Sequence, residues 1–539
     1  MKLDLVVENA TIRTFDDDTP RASSIGILNG RVVGLDDDLR GVTSRDVIDA
    51  GGRAVFPGFI DAHCHTSWFG LSILEPSVEH CRSLDELYAA LDEAAADRAG
   101  AAGDWLLVNG FDHTVVGGYP DLLAVDLVTG DTPVFLRHNS GHLAFVNSAA
   151  LRRVGAVDAR YPNPVGGEIS RDEHGAPTGR VEETAQEIFQ EQFRPRPLEL
   201  LQRAVEVATR RYAAQGITSF TDAGIGGGWI GQSPVELAAY QRAAAAGSLA
   251  ARAQVMPVLD ALHGLAAHPD DGGGTGLDLG LHSGFGSELL SLGPAKVFLD
   301  GSLLGQTAAV SEPYCSHAGS GYFQDDPEQL RHTMARAYAA GWSLAVHAIG
   351  DRAIDLALDC LEELQQRGRP RTMPNRIEHA SIVRPDQLSR IARAGLAVTP
   401  QASFFEHGGD AMTKSLGPRR TGWAYRVKSF LDSGVVVGGS SDRPVADGDP
   451  LRGMAAYVER LTAGGQLFGD PAERVTPREA LALYTTGSAA ACGLSASRGS
   501  LTPGKLADLV LLDEDPLATG AFDTSVALTI TGGEITHQA

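Results

Sequence analysis

Cysteine is scarce and scattered. Cys64, Cys81, Cys315, Cys360 and Cys492 are five among 539 residues, with no CxxC pair. That argues against a disulfide scaffold and fits a reducing cytoplasm. Long apolar runs are missing too. No stretch reaches the roughly 18 apolar residues of a membrane-spanning helix. Residues 1–8 open without the apolar core of a secretory leader, so the expected location is the cytoplasm. Basic residues are in deficit, 45 Lys and Arg against 68 Asp and Glu, for a formal net charge of −23. A phosphate backbone or an anionic membrane surface repels such a chain. Neither nucleic acid nor membrane is therefore expected as a partner. An acidic protein can still carry one basic pocket, so anionic small substrates survive this argument.

Apolar residues make up 43% of the chain, enough for a large core. Glycine, at 63 residues, exceeds its usual share near 7% and predicts many tight turns. The first fifty residues read as a strand meander over 3–12, 24–28 and 31–35, with Asn29-Gly30 as a hairpin turn. The last forty carry similar runs at 507–512, 527–530 and 534–536. Neither end has enough apolar surface for its own core. Together they are expected to form one small β-sandwich, from residues 1–53 and 495–539.

Between them strands alternate with helices. Eight candidate strands lie at 54–63, 217–222, 251–258, 294–300, 343–347, 376–379, 396–400 and 435–440. Helical periodicity is clear over 200–212 and 351–364. This pattern predicts an α/β protein whose segment 54–494 is a (β/α)8 TIM barrel; a doubly wound open sheet is the alternative. About 150 residues separate the first two strands, far beyond an ordinary βα loop. Residues 66–197 are therefore expected to be an inserted subdomain, with a helix over 83–98 and strands at 105–109 and 134–137. It leaves from the C-terminal ends of the strands, where barrel active sites lie, and should cap the substrate. Residues 271–276 read as a flexible loop.

The strand ends hold the chemistry. Strand alternation places Asp61, His63 and His65 on one face, with Cys64 turned away. Lys296 sits in an apolar strand, where it is costly unless neutralised or paired. His347 ends the fifth strand, His379 the sixth, and Asp442 follows the eighth. Each has an ordinary explanation alone: a satisfied core histidine, a salt-bridged lysine, a helix cap for Asp442. Five strand ends contributing such residues together point instead to a metal centre. Imidazole and carboxylate without cysteine suit Zn, and also Fe, Mn or Ni.

The run Pro57-Gly58-Phe59-Ile60-Asp61-Ala62-His63-Cys64-His65, with Lys296, His347, His379 and Asp442 in order, resembles the metal-dependent amidohydrolase superfamily. Further segments resemble its amidohydrolase family 3, or YtcJ-like, branch: 137–142 with 147–151, then 296–302, 346–353 and 504–510. The resemblance spans essentially the whole chain. It implies that His63 and His65 hold the more buried metal ion, and that His347 and His379 hold a second. It implies that Lys296, N-carboxylated, bridges one ion to the other, with zinc as the expected metal and one or two ions bound. Asp442 is then both ligand and catalytic carboxylate. Asp61 and Asp300 are expected to orient ligands, and Glu378 to turn away from His379 towards the helix layer. Trp68 and His142 are the candidate substrate contacts, with His113 weaker. Phe404, Phe405, His407 and Trp423 lie in a 401–425 segment that reads as a pocket wall or a mobile loop.

The implied reaction is hydrolysis of an amide or formamide-type C–N bond of a small molecule. The same centre could serve ester hydrolysis, deamination or decarboxylation, and a noncatalytic binding protein on this scaffold is a further alternative. The terminal sandwich and the insertion offer surfaces for a homodimer.

Overall fold

The computed structural model describes residues 2–97, 105–266, 268, 275–316, 318–368, 371 and 373–539. The chain is an α/β protein. Strands Leu290–Leu292, Arg252–Pro257, Ile217–Ile225 and Phe59–Cys64 lie side by side in that order, all parallel. A second parallel set runs Ala295–Phe298, Leu344–Ala348, Arg376–His379 and Ala397–Thr399. Phe59–Cys64 and Ile217–Ile225 are buried at every position, as strands covered on both faces must be. The two sets meet through a parallel bridge between Val258 and Lys296. Val437 bridges Val398, and the same segment returns to the first strand. Ala62 N–H donates to Gly439 O at 3.0 Å, and Asp442 N–H to His63 O at 2.8 Å.

Two expected strands need correction. The run 54–63 is broken: Ala54–Pro57 pairs with Thr11–Arg13 and Leu509–Leu512, and Phe59–Cys64 is a separate strand. Gly58 marks the break, for a Cβ there would lie 2.2 Å from Thr218 Oγ1. The run 435–440 makes only the Val437 bridge. Gly439 N–H leaves the ladder for Leu483 O at 2.8 Å, and a Cβ on Gly439 would strike the Tyr484 ring at 2.6 Å.

The predicted helices form as Leu198–Ala214 and Asp351–Arg367. Their apolar stripes are buried: Leu201, Ala204, Val205, Ala208 and Tyr212 in the first, Ile354, Ala357, Leu358 and Leu361 in the second. Segment 401–425, open in the sequence to a mobile-loop reading, is mostly the helix Ala402–Thr421, kinked at Gly417. Its glycines serve close packing. A Cβ on Gly408 would meet Leu304 at 2.8 Å, and one on Gly409 would meet Thr462 at 2.6 Å.

The two ends of the chain share one hydrophobic core, in which Leu5, Val7 and Ile27 join Leu509, Leu511 and Ile530. It lies among a four-stranded sheet containing Lys2–Glu8 and a six-stranded sheet containing Ala54–Pro57, Leu509–Leu512 and Val526–Thr531. Residues after Cys64 build a further five-stranded sheet in the order Gly167–Arg171, Pro177–Glu183, Leu143–Val146, Val134–His138, Leu106–Phe111. The expected helix there forms as Leu84–Asp97. The 271–276 stretch lies outside the described residues except for Thr275–Gly276, a two-residue strand.

Candidate metal centre

His63 is fully buried at the end of Phe59–Cys64. Its Nδ1 donates to Glu378 Oε2, and its Nε2 has no hydrogen-bond partner. His65 lies beside it, with ring centroids 5.4 Å apart. Asp442 Oδ1 lies 3.1 Å from His63 Nε2 and 2.9 Å from His65 Nε2, without the alignment of a hydrogen bond at His63. Ligand atoms of these three residues lie within 4.8 Å of one another. Burial lowers the His65 pKa to about 4, against the pull of Asp442. Burial works to raise Asp442, yet His63 and His65 hold it well below the usual carboxylate range.

The other strand ends converge on the same space. His347 Nδ1 donates to Asp300 Oδ1 at 3.1 Å, leaving Nε2 buried and unpartnered. Asp300 also accepts from the backbone of Ile349 at 3.1 Å, Gly350 at 2.8 Å and Ala309 at 3.0 Å. Burial pushes the Asp300 carboxyl up to about 7. His379 Nδ1 donates to Gln401 Oε1 at 2.8 Å. Gln401 is itself fixed, donating to Thr399 O and Ser440 Oγ. The His379 ring lies 4.8 Å from His63 and 4.6 Å from His347, and burial lowers its pKa to about 3. Lys296 Nζ is buried with no hydrogen-bond partner. It lies 4.7 Å above the Phe298 ring and has no ion pair among the described residues. Burial lowers its pKa to about 8.

The pattern is specific. His63, His347 and His379 are each anchored through Nδ1, as metal-binding imidazoles are. The Nε2 atoms of His63 and His347, Lys296 Nζ and Asp442 Oδ1 are buried without partners. Each orphaned group costs on the order of 1–3 kcal/mol. A divalent ion would satisfy the two imidazole nitrogens and the carboxylate oxygen, so this donor set fits one; Lys296 could join only as the neutral amine or its carbamate.

Glu378 overturns the sequence reading. It does not face the helix layer: Arg376 Nε donates to its Oε1 at 2.8 Å and Thr399 Oγ1 to its Oε2 at 2.9 Å, beside the His63 bond. Alternation fails because His379 has φ 68°, so the backbone turns and both side chains point inwards. Asp61 acts on the turn before Asp442, accepting from Ser441 N–H at 3.1 Å and from Ser441 Oγ.

A cavity of about 830 Å3 opens over this centre, lined by His379, Asp442, Trp68, His142, Arg137 and Phe404 among others. Trp68 lies 5.8 Å from His65. His142 lies in the turn between Val134–His138 and Leu143–Val146, its ring 5.4 Å from His347. Burial opposes its charged form, but Glu183, 2.8 Å from Nδ1, raises its pKa. Gly141, at φ 73°, lets this loop lie against Trp68; a Cβ there would be 2.7 Å from the indole. His113 stacks on Tyr119 at 4.5 Å and approaches His138, within the insertion. Phe404 and His407 line the cavity. Phe405 instead stacks on Phe468 in the core, and Trp423 packs under Arg419. The sequence reading missed Gln401, Glu183 and Arg376. None carries a motif, and only the fold brings them to the histidines.

Such a site, on parallel strand ends, defines a hydrolase that works through a divalent metal. The amidohydrolase family model matches residues 46–537. The chain is 31% identical to the N-substituted formamide deformylase of Arthrobacter pascens, over 99% of this chain and 98% of that protein. It is 29% identical to the putative amidohydrolase YtcJ of Bacillus subtilis strain 168, over 92% of each. A solved structure, an uncharacterized metal-dependent hydrolase from Pyrococcus horikoshii OT3, is similar with a TM-score of 0.74 and 25% identity, over 99% of this chain and 100% of that one. The chain belongs to the amidohydrolase family. Enzymes of this class act on carbon–nitrogen bonds other than peptide bonds. Among the described residues, no helix is long and apolar enough to cross a membrane.

Proposed function

We propose that this protein hydrolyses an amide or formamide C–N bond of a small molecule at the centre built from His63, His65, Lys296, His347, His379 and Asp442. The carrying observation is the set of buried, unpartnered atoms on His63, His65, Lys296, His347 and Asp442, contributed by four segments, with the His379 ring beside them. In this reading the two parallel sets close into a (β/α)8 barrel through Val258–Lys296 and the 437–442 segment. The two ends of the chain form a β-sandwich, and residues 66–197 cap the cavity.

His63, His65, His347, His379 and Asp442 would hold one or two divalent ions, with zinc suited to such ligands. A bound ion of this kind lowers the pKa of water towards 7 and polarises a carbonyl. Burial lowers the Lys296 pKa to about 8, so a larger share of it than of a solvated lysine is the neutral amine that carboxylation by CO2 requires, and the resulting carbamate would add oxygen ligands to the centre. Asp442 is held ionised, so it can accept a proton from water and return it to the leaving amine. His142, whose charged form Glu183 favours, faces the substrate from the capping side as a hydrogen-bonding group. Trp68 excludes water and packs on the substrate. Glu378, Asp300 and Gln401 fix the rings so that no reorganisation is needed when substrate arrives.

The test is a panel of formamides, linear and cyclic amides and esters, given to protein of measured metal content. Amine and acid released from the formamides or amides, together with about one or two equivalents of metal, support the reading. Full turnover in metal-free protein, or turnover of esters alone, overturns it.

A further inference from the structure

Arg137 has the properties of a ligand-binding residue that lacks its ligand. It ends the strand Val134–His138 in the inserted sheet and is only 8% exposed. Among the described residues, no carboxylate or carbonyl oxygen accepts a hydrogen bond from it. Its contacts are with ring faces: the guanidinium carbon lies 5.2 Å from the Trp68 centroid and 5.9 Å from that of Phe135. Ring faces attract the charge but leave the five N–H donors unused. None of its nitrogens is among the fully buried unpartnered atoms, so these free donors open onto the cavity.

Several neighbouring cations do donate to protein oxygens, although Arg194 Nε and Arg443 Nε and Nη2 have no partner. Arg194 donates to Gly228 O and Trp229 O, both at 3.1 Å. Arg196 pairs with Glu75 at 2.5 Å. Glu75, the main carboxylate whose field reaches Arg137, is taken up by Arg196 and by Asn109 at 2.9 Å. Arg82, Arg443 and Arg452 line the same cavity, and each donates to protein oxygens. Burial lowers the Arg137 pKa only to about 10, so the cation persists at neutral pH.

We infer that Arg137 binds a carboxylate of the substrate, one indole ring away from the metal centre. The cavity joins the two places: Arg137, Trp68, His379 and Asp442 all line it, and Trp68 touches both Arg137 and His65. A planar guanidinium matches a carboxylate with two parallel N–H donors. The substrate class is therefore an N-acyl or N-formyl compound bearing an acid group at its far end. This rests on the proposed hydrolysis at the metal centre.

Binding tests the inference without turnover. Metal-loaded protein is titrated with 3-phenylpropionate and with 3-phenylpropionamide, followed by calorimetry. The acid should bind wild type at least tenfold more tightly than the amide. Arg137→Gln should abolish that preference. Arg137→Lys keeps the charge but loses the fork, and should reduce the preference by about threefold or more. Equal affinities in wild type, or a preference undiminished in the variants, overturn the inference. The latter result would mean that the acid ligates metal. Should Arg137→Gln fail to fold, an unchanged preference in Arg137→Lys overturns it equally. A parallel series compares N-formyl-ω-amino acids of increasing chain length with their primary carboxamides. Arg137-dependent acid binding without hydrolysis of any member would overturn the hydrolytic reading and support this site. Hydrolysis with equal kcat/KM for acids and carboxamides at every length would do the reverse.

Discussion

Glu378 accepts a hydrogen bond from His63 Nδ1 although 315 residues separate them in the chain. Both are fully buried. Arg376 and Thr399 hold the carboxylate from the other side. The bond fixes the ring and leaves Nε2 directed at Asp442. In metal sites such anchors are worth about 10–100-fold in metal affinity.

Glu378→Gln should therefore weaken metal binding by about that factor while the protein stays folded. Competition against a chelator of known affinity measures it. Glu378→Ala should behave differently, because it strands the buried Arg376 without its counter-ion. A loss of about 3–5 kcal/mol is expected in urea unfolding. Equal metal affinity in wild type and Glu378→Gln would remove this role.

Asp442→Asn keeps the shape of the side chain and removes its basicity. Turnover should fall by about 100-fold or more, with unchanged circular dichroism. Wild-type kcat in this variant would assign the proton transfer elsewhere.

Lys296→Ala removes a buried amine that has no protein partner. If the amine serves as a carbamate between two ions, metal content should fall by about one equivalent and activity with it. Added short-chain carboxylates should restore part of both. Metal content equal to wild type, read by elemental analysis, would rule out the bridge.

His379 makes metal-free stability depend on pH in a definite direction. Its folded pKa of about 3 lies below the ordinary value of 6.5, so the unfolded chain binds its proton first. Stability contributed by the neutral ring is complete above about pH 6.5. It is lost as pH falls towards 3, at about 1.4 kcal/mol per pH unit. Asp300 and Asp222, pushed up to about 7 by burial, run the opposite way. The measurement is therefore the difference between wild type and His379→Asn, both chelator-treated, in urea unfolding from pH 6.5 to 4.5. Wild type should lose ground to the variant as pH falls. A constant difference would contradict the burial argument.

Much of this centre was legible in the sequence because metal ligands come from a small set of residue types placed at strand ends. Strand alternation placed His63 and His65 on one face and Asp300 on the face of Lys296; in the structure the two rings lie 5.4 Å apart and Asp300 accepts from His347 Nδ1. The same rule failed at Glu378, since a left-handed residue after a strand, here His379, resets the alternation and leaves no compositional trace. Glycine misled at Gly408 and Gly409, which read as loop residues but allow close helix packing. The 435–440 run read as a full strand, yet it bridges Val398 only at Val437, and Gly439 N–H turns to Leu483 O. Arg137 stood in a recognised segment, yet nothing in its neighbours showed that it would be buried without a partner.

The core shared by the two ends of the chain sets a timetable for biosynthesis. Ala54–Pro57 finds its antiparallel neighbour in Leu509–Leu512. At about 5–20 residues per second of translation, those partners emerge roughly 25–90 s apart. During that interval the early strands expose an unsatisfied edge and the apolar faces of Leu5, Val7 and Ile27. A chain that stops before the last strands can pair its opening strands with one another, but it lacks the Leu509, Leu511 and Ile530 half of their core.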